Sequence, residues 1–202
     1  MSKKISQRKA GEEVIKEIKR TLEWMKEQNR QLDKKQLSDF VSEILKAKKI
    51  FVTGKGRSSL VGRAFAMRLV HLGYDTTVLG EDTAPPVKEG DLFFVISGGG
   101  ENRVAETKTA RRLGARVLVV TSYPTSRLAR LSHKMLIVHG REKEGAEVPY
   151  RERRMQGLPV LPLGTSFEDL SLIVLDSIIG YIAAVKEQSE KDLDARHTTL
   201  QL

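Results

Sequence analysis

Two glycine-rich stretches, Gly54-Lys-Gly-Arg-Ser-Ser and Ser97-Gly-Gly-Gly-Glu-Asn, carry the residue types that grip an anion. Each follows a short apolar run and opens a segment with one apolar face, the order of strand, turn and helix. In an open parallel sheet such turns lie beyond the carboxyl ends of the strands, where the first amides of the next helix point outward without partners. Gly98, Gly99 and Gly100 let the backbone approach a ligand closely, Ser97 adds a hydroxyl, and a helix from about Asn102 adds its positive end. In the first turn, Arg57 and Ser58 set a guanidinium fork and a hydroxyl beside the amides after Gly56.

A single such turn has a second, less favoured explanation, a tight connection with no ligand. Two of them, after the first and third strands, point to one anion site if the strand order reverses between them. A dinucleotide fingerprint fits poorly, because Ser59 stands where G-x-G-x-x-G needs its third glycine. Glu81, at the end of the second strand, could still imitate a ribose-binding acid.

Pro162-Leu-Gly-Thr-Ser-Phe-Glu-Asp is a third constellation. Thr165 or Ser166 is expected to cap a helix, which places Glu168 in its first turn. A carboxylate there is favoured by the helix dipole with or without chemistry, and spacing alone favours the capping role. His71, His133 and His139 have no ligand-like spacing and are expected to be structural or surface groups. His197 sits in a tail, Ala195 to Leu202, with too little apolar content to order itself, so the tail either moves freely or docks.

These residues need a scaffold. Ile50 to Val52, Thr76 to Leu79, Leu92 to Ile96, Val117 to Val120 and Met135 to Val138 read as five strands, separated by helix-length segments such as Leu60 to Leu72 and Val104 to Leu113. Two amphipathic helices precede them, and a last helix runs from about Phe167 to Lys186. That alternation predicts a parallel sheet covered by helices on both faces. Arg141 to Pro162, charged and carrying three prolines, is expected to be a long surface loop. Lys-Asp-Leu-Asp before the tail reads as a hinge.

Composition excludes several classes. The chain has 202 residues, 40% hydrophobic and 30% charged, enough for one sizeable core. There is no cysteine, no apolar run of about 18 residues and no leader pattern, so neither a membrane span nor secretion is indicated and a cytoplasmic setting is expected. The net charge of +9 would suit a polyanion, but the basic residues are dispersed and aromatics are 5%, which leaves nucleic acid a remote option. A small phosphorylated ligand accounts for the charge at least as well.

Gly54-Lys-Gly-Arg-Ser, Arg63-Ala-Phe-Ala-Met-Arg-Leu-Val-His-Leu-Gly, Ser97-Gly-Gly-Gly, Leu163-Gly-Thr-Ser-Phe-Glu-Asp and Arg196-His, in that order, resemble sugar isomerase (SIS) domains, and within them the archaeal-type 6-phospho-3-hexuloisomerases. The resemblance covers nearly everything from Lys48 onward. It implies an α/β fold, a three-layer αβα sandwich around a five-stranded parallel flavodoxin-like sheet, with residues 1–48 as a helical extension and 49–202 as the SIS domain. It implies a homo-oligomer, dimer or tetramer, whose site lies between subunits and receives a tail histidine from a neighbour.

Carried over by position, the resemblance makes Glu168 the catalytic base and His197 its partner. Gly56, Arg57, Ser58, Ser97, Gly98, Gly99, Gly100 and Asn102 become the phosphate contacts, and Glu81 and Thr165 substrate contacts. Moving a carbonyl by one carbon through an enediol needs one base and one group for the oxygen protons, with no metal or cofactor. A non-catalytic sugar-phosphate sensor is the alternative. The chain also departs from the family, which usually reads Ser-Gly-Ser-Gly-x-Thr where Gly99 and Asn102 stand here. Glu81-Asp-Thr-Ala-Pro-Pro and the charged stretch between Arg141 and Gly157 depart as well.

Overall fold

The computed structural model describes residues 7–80, 83–140, 149–162 and 164–197. Five strands, β1 (Lys49–Gly54), β2 (Asp75–Val78), β3 (Leu92–Ile96), β4 (Arg116–Thr121) and β5 (Lys134–Ile137), form one sheet in the order β2-β1-β3-β4-β5. Every pairing is parallel, with Ile50 beside Leu92 and Leu92 beside Arg116. The chain leaves β1 toward one edge for β2 and returns past it to β3, so the order reverses between β1 and β3. This is the flavodoxin-like arrangement, in which ligands bind outside the carboxyl ends of the two strands at the reversal.

Period-2 alternation divides the sheet's side chains between two helical layers. Ile50, Val52, Phe94, Ile96, Leu118 and Val120 face α2 (Lys34–Lys46), α3 (Arg57–His71) and α7 (Thr165–Val185) in one core. Phe51, Phe93, Val95, Val117 and Val119 face the other way, toward α4 (Val104–Arg112) and α5 (Arg127–Leu131). The expected αβα sandwich is therefore the fold. Helix α2 is built into it: Phe40 and Ile44 are fully buried, and the Phe40 ring meets Phe94 edge-on at 5.7 Å. Its polar side is fastened too, by two Arg116 bonds to Glu43 of 2.8 Å each and by Lys134 on Asp39 at 3.0 Å.

Three expectations are corrected. The segment from Arg141 to Pro162 contains a short helix, α6 (Tyr150–Met155), where a loop was predicted; residues 141–148 lie outside the described set. Six charged-rich residues are too few to show a helical period. The predicted hinge is helix α8 (Glu190–Asp194), whose Ser189 and Asp192 form a reciprocal capping box. Neither Thr165 nor Ser166 caps α7. Gly164 is its N-cap in the left-handed region at φ 78°, Thr165 Oγ1 donates to the Pro162 carbonyl at 2.6 Å, and Ser166 is buried.

His133 is structural, with a consequence for acid stability. Its Nδ1 accepts the Val117 backbone N–H at 2.9 Å, a role open only to a neutral ring nitrogen. Burial first, then the Arg111 and Arg116 cations, holds its pKa below the ordinary histidine value. Burial, then His197 and Arg68, does the same to His71. With folded pKa values depressed, the unfolded chain binds the extra protons. Both contributions are thus complete above a pH of about 6.5 and are lost as pH falls through the folded values. Thermal melts are expected to show a midpoint falling between about pH 7 and pH 5.5, above the range where carboxylates titrate. His133→Asn, whose amide oxygen can accept the same N–H, should flatten that slope; an unchanged slope contradicts the assignment.

Candidate active site

Both glycine-rich turns open at the β1/β3 reversal. After β1, Gly56 takes φ 59° and serves as N-cap of α3, with Arg57 and Ser58 in the helix's first turn. After β3, Ser97 and Gly98 continue along β4, Ser97 N–H donating to the Val120 carbonyl and Ser122 N–H to that of Gly98, each at 3.0 Å. The Ser97 hydroxyl is different. Its residue is 3% exposed, and Oγ has no hydrogen-bond partner among the described residues. A buried hydroxyl without a partner costs roughly 1–3 kcal/mol, so its retention beside a glycine-rich turn fits a ligand contact.

The start of α7 closes the crevice. Phe167, fully buried, lies so near the second turn that a Cβ on Gly98 would sit 2.9 Å from its ring. The next residue, Glu168, is 6% exposed and accepts a hydrogen bond from Ser58 Oγ at 3.1 Å. Arg57 Nε stands 3.6 Å from its other oxygen, and Arg57 Nη2 reaches Asp169 at 3.3 Å. A buried carboxylate costs several kcal/mol unless paired and hydrogen-bonded, and here it has both kinds of partner. Arg57, Ser58 and Glu168, far apart in sequence, therefore form one cluster. Its position next to Gly98 joins it to the second turn.

Other predicted residues scatter. Gly99 is half-buried with open space around its Cβ position, Gly100 is buried at φ 66°, and Asn102 is exposed at the rim. Thr165 is occupied with Pro162, and Glu81 lies outside the described residues. His197 is not beside Glu168 within one chain. Its ring lies 4.8 Å from that of His71, at the last residue of α3, and Arg196 donates to the His71 carbonyl at 3.1 Å. Ser58 stands at the opposite end of that helix, about 20 Å away at 1.5 Å per residue.

Sequence reading missed Asp169 and Arg103. Arg103 is the N-cap of α4 at φ 67°, a left-handed backbone uncommon outside glycine, and α4 starts later than Asn102. Its Nε donates to the Gly54 carbonyl at 3.0 Å and its Nη1 to Glu106 at 2.8 Å, so it ties one glycine-rich turn to the other. Nothing in the local pattern marks it, since its partner is 49 residues away. Among the described residues no cluster of three or more His, Asp or Glu side chains suits a metal ion.

Residues 43–150, spanning both turns, match the model of the SIS domain. The chain belongs to the SIS domain family. Among its relatives, the 3-hexulose-6-phosphate isomerase of Methanocaldococcus jannaschii is 33% identical over 83% of this chain and 85% of that one. The 3-hexulose-6-phosphate isomerase of Methylomonas aminofaciens is 34% identical, covering 77% and 82%. A crystal structure of a Methanococcus jannaschii protein, from which a 3-hexulose-6-phosphate isomerase function was inferred, superposes with a TM-score of 0.74 at 28% identity. It covers 94% of this chain and 99% of that one, so the likeness extends beyond the SIS domain match on both sides.

Proposed function

We propose that the protein interconverts 3-hexulose 6-phosphate and fructose 6-phosphate through an enediol. The observation that carries this reading is the buried Glu168 carboxylate, held by Ser58 and Arg57 where two anion-binding turns meet. The relatives' activity supplies the substrate. The turns, with the Ser97 hydroxyl, hold the phosphate and so fix which carbon faces Glu168. The carboxylate takes the proton from C2; that electron pair forms the C2–C3 double bond, and the C3 carbonyl oxygen becomes a hydroxyl by gaining a proton. The C2 hydroxyl then gives up its proton, C2 becomes the carbonyl, and C3 receives a proton from the protonated carboxyl. Atoms and charge balance without a cofactor.

Protons on the two oxygens need a second group, and His197 is the proposed one. Because it lies a helix length from Glu168 of its own chain, it serves the site of another copy, which makes the working form a homo-oligomer, dimer or tetramer. A cytoplasmic location belongs to the same reading. Among the described residues no helix is long and apolar enough to cross a membrane.

The deciding assay is conversion of 3-hexulose 6-phosphate by the purified protein, beside calorimetry with fructose 6-phosphate and fructose. Turnover is expected, with binding of the phosphorylated sugar only. Ser97→Ala should weaken that binding by about 0.5–3 kcal/mol without lowering the melting temperature, since Oγ bonds nothing among the described residues. Equal affinity for both sugars refutes the phosphate site. Binding without turnover selects the sensor reading, which the missing hydroxyls at Gly99 and Asn102 favour.

A further inference from the structure

Helix α1 (Gln7–Asn29) is turned the wrong way for a helix that folds onto its own domain. Its large apolar residues Val14, Ile15, Ile18 and Leu22 are 59%, 55%, 53% and 59% exposed. The side that meets the rest of the chain is mostly polar: Glu13 pairs with Arg154, and Glu17 accepts the Val160 backbone N–H. At 100° per residue the exposed stripe lies about 135°, more than a third of a turn, from that side. Only at its end, with Met25 buried, does the apolar row enter the protein.

We propose that this stripe is an assembly surface, and that its occupant is α1 of a second copy, packed antiparallel. Ile15, Ile18, Leu22 and Met25 recur at intervals of three, four and three, the a/d seam that fits the side chains of another helix into its gaps. Val14 flanks this seam at one turn only, so the row stays narrower than a core-facing stripe. Met25 is committed to its own chain, so the pairing uses the exposed part of the seam. The register that does so sets Ile15 against Ile18 of the second copy and Leu22 over the second copy's Gly11, whose Cβ position has nothing within 4 Å.

Charge supports the same register. It brings Glu12 of each helix beside Lys19 of the other, on the flank of the seam. A parallel pair would instead set Lys19 against apolar or hydroxyl side chains and offer no such complement. The contact is isologous, so it closes on itself as a two-fold.

The inference rests on the homo-oligomer reading above and names one of its surfaces. The test combines mass measurement with cross-linking in the full chain. Ile18→Lys/Leu22→Lys should reduce the mass seen by light scattering to a smaller species, with unchanged circular dichroism because both sites are exposed. The chain has no cysteine, so engineered thiols report cleanly. Gly11→Cys mixed with Leu22→Cys should give a disulfide-linked pair of the two different chains, whereas Leu22→Cys alone should not cross-link, its copies lying about 16 Å apart along the antiparallel axis. An oligomer that keeps its mass in the lysine variant overturns this surface while leaving the oligomer reading intact. Efficient cross-linking of Leu22→Cys alone overturns the antiparallel pairing, and a wild-type monomer at micromolar concentration overturns both readings.

Discussion

Glu168→Gln is expected to reduce isomerase turnover by roughly a hundredfold or more, the scale of a general base's contribution, while sugar-phosphate affinity stays close to that of the unchanged protein. The amide keeps the shape of the carboxylate, and its oxygen can still accept the Ser58 hydroxyl, but it cannot take a proton from carbon. The competing role, a charge at the first turn of α7, is worth only about 0.3–1 kcal/mol of stability and nothing in turnover. A small drop in melting temperature is therefore compatible with either role; the rate separates them. His197→Ala should also impair turnover and spare the fold, since the residue lies in the segment after α8. If the two groups meet across a subunit boundary, mixing the two inactive proteins under conditions of subunit exchange should restore activity. For randomly paired dimers the recovery is about a quarter of the original, because half the pairs are mixed and each retains one intact site. Full activity in Glu168→Gln refutes the base assignment, and no recovery on mixing refutes the shared site.

Gly100→Ala is expected to cost about 3–5 kcal/mol, the sum of overpacking, a left-handed backbone and damage to a helix cap. The added Cβ would lie 2.1 Å from Ser126 Oγ and 2.3 Å from Ser126 Cβ, at φ 66°. Ser126 cannot simply move aside, because its hydroxyl caps α5 through Ala129 N–H and the Gly100 carbonyl holds Leu128 N–H at 3.0 Å. Such a loss is a large share of the roughly 5–15 kcal/mol that stabilises a domain. The neighbouring Gly99→Ser is the control. No described residue stands within 4 Å of its Cβ position, so its stability should stay within about 0.5 kcal/mol of the original. It also places a hydroxyl where the SIS pattern usually carries one, at the mouth of the same turn. Denaturant unfolding of the two variants checks the contrast, and a Gly100→Ala protein as stable as Gly99→Ser contradicts the packing described for this turn.

The two neighbours show how unevenly function and packing divide a short motif. Gly-Gly-Gly reads as a uniform flexible cradle, yet Gly98 is pressed on Phe167 and Gly100 on Ser126, while Gly99 alone faces open space. Two of the three glycines are therefore demanded by partners on α7 and α5 that no local spacing reveals.

By itself the sequence determined five short apolar runs, the helices between them, the parallel α/β class and the two glycine-rich turns. A central strand covered on both faces shows as a short unbroken apolar run, and burial in a helix repeats every three to four residues, so short stretches carry that information. Tertiary structure alone decided what depends on distant residues meeting. The bond from Ser58 to Glu168 crosses 110 positions and the contact of Arg57 with Asp169 crosses 112. The reversal that brings the turns together is a property of the sheet's order. Gly164, not Thr165 or Ser166, caps α7, because the cap position takes the left-handed φ of 78° that glycine tolerates, whatever hydroxyls follow. Helix α1 makes the same point from the other side, since its sequence announces an apolar stripe but only the packing shows that the stripe faces away from its own core. A pattern fixes which face of a helix seeks cover; what lies there is set by chain brought in from elsewhere, and for α1 it is not this chain's own core.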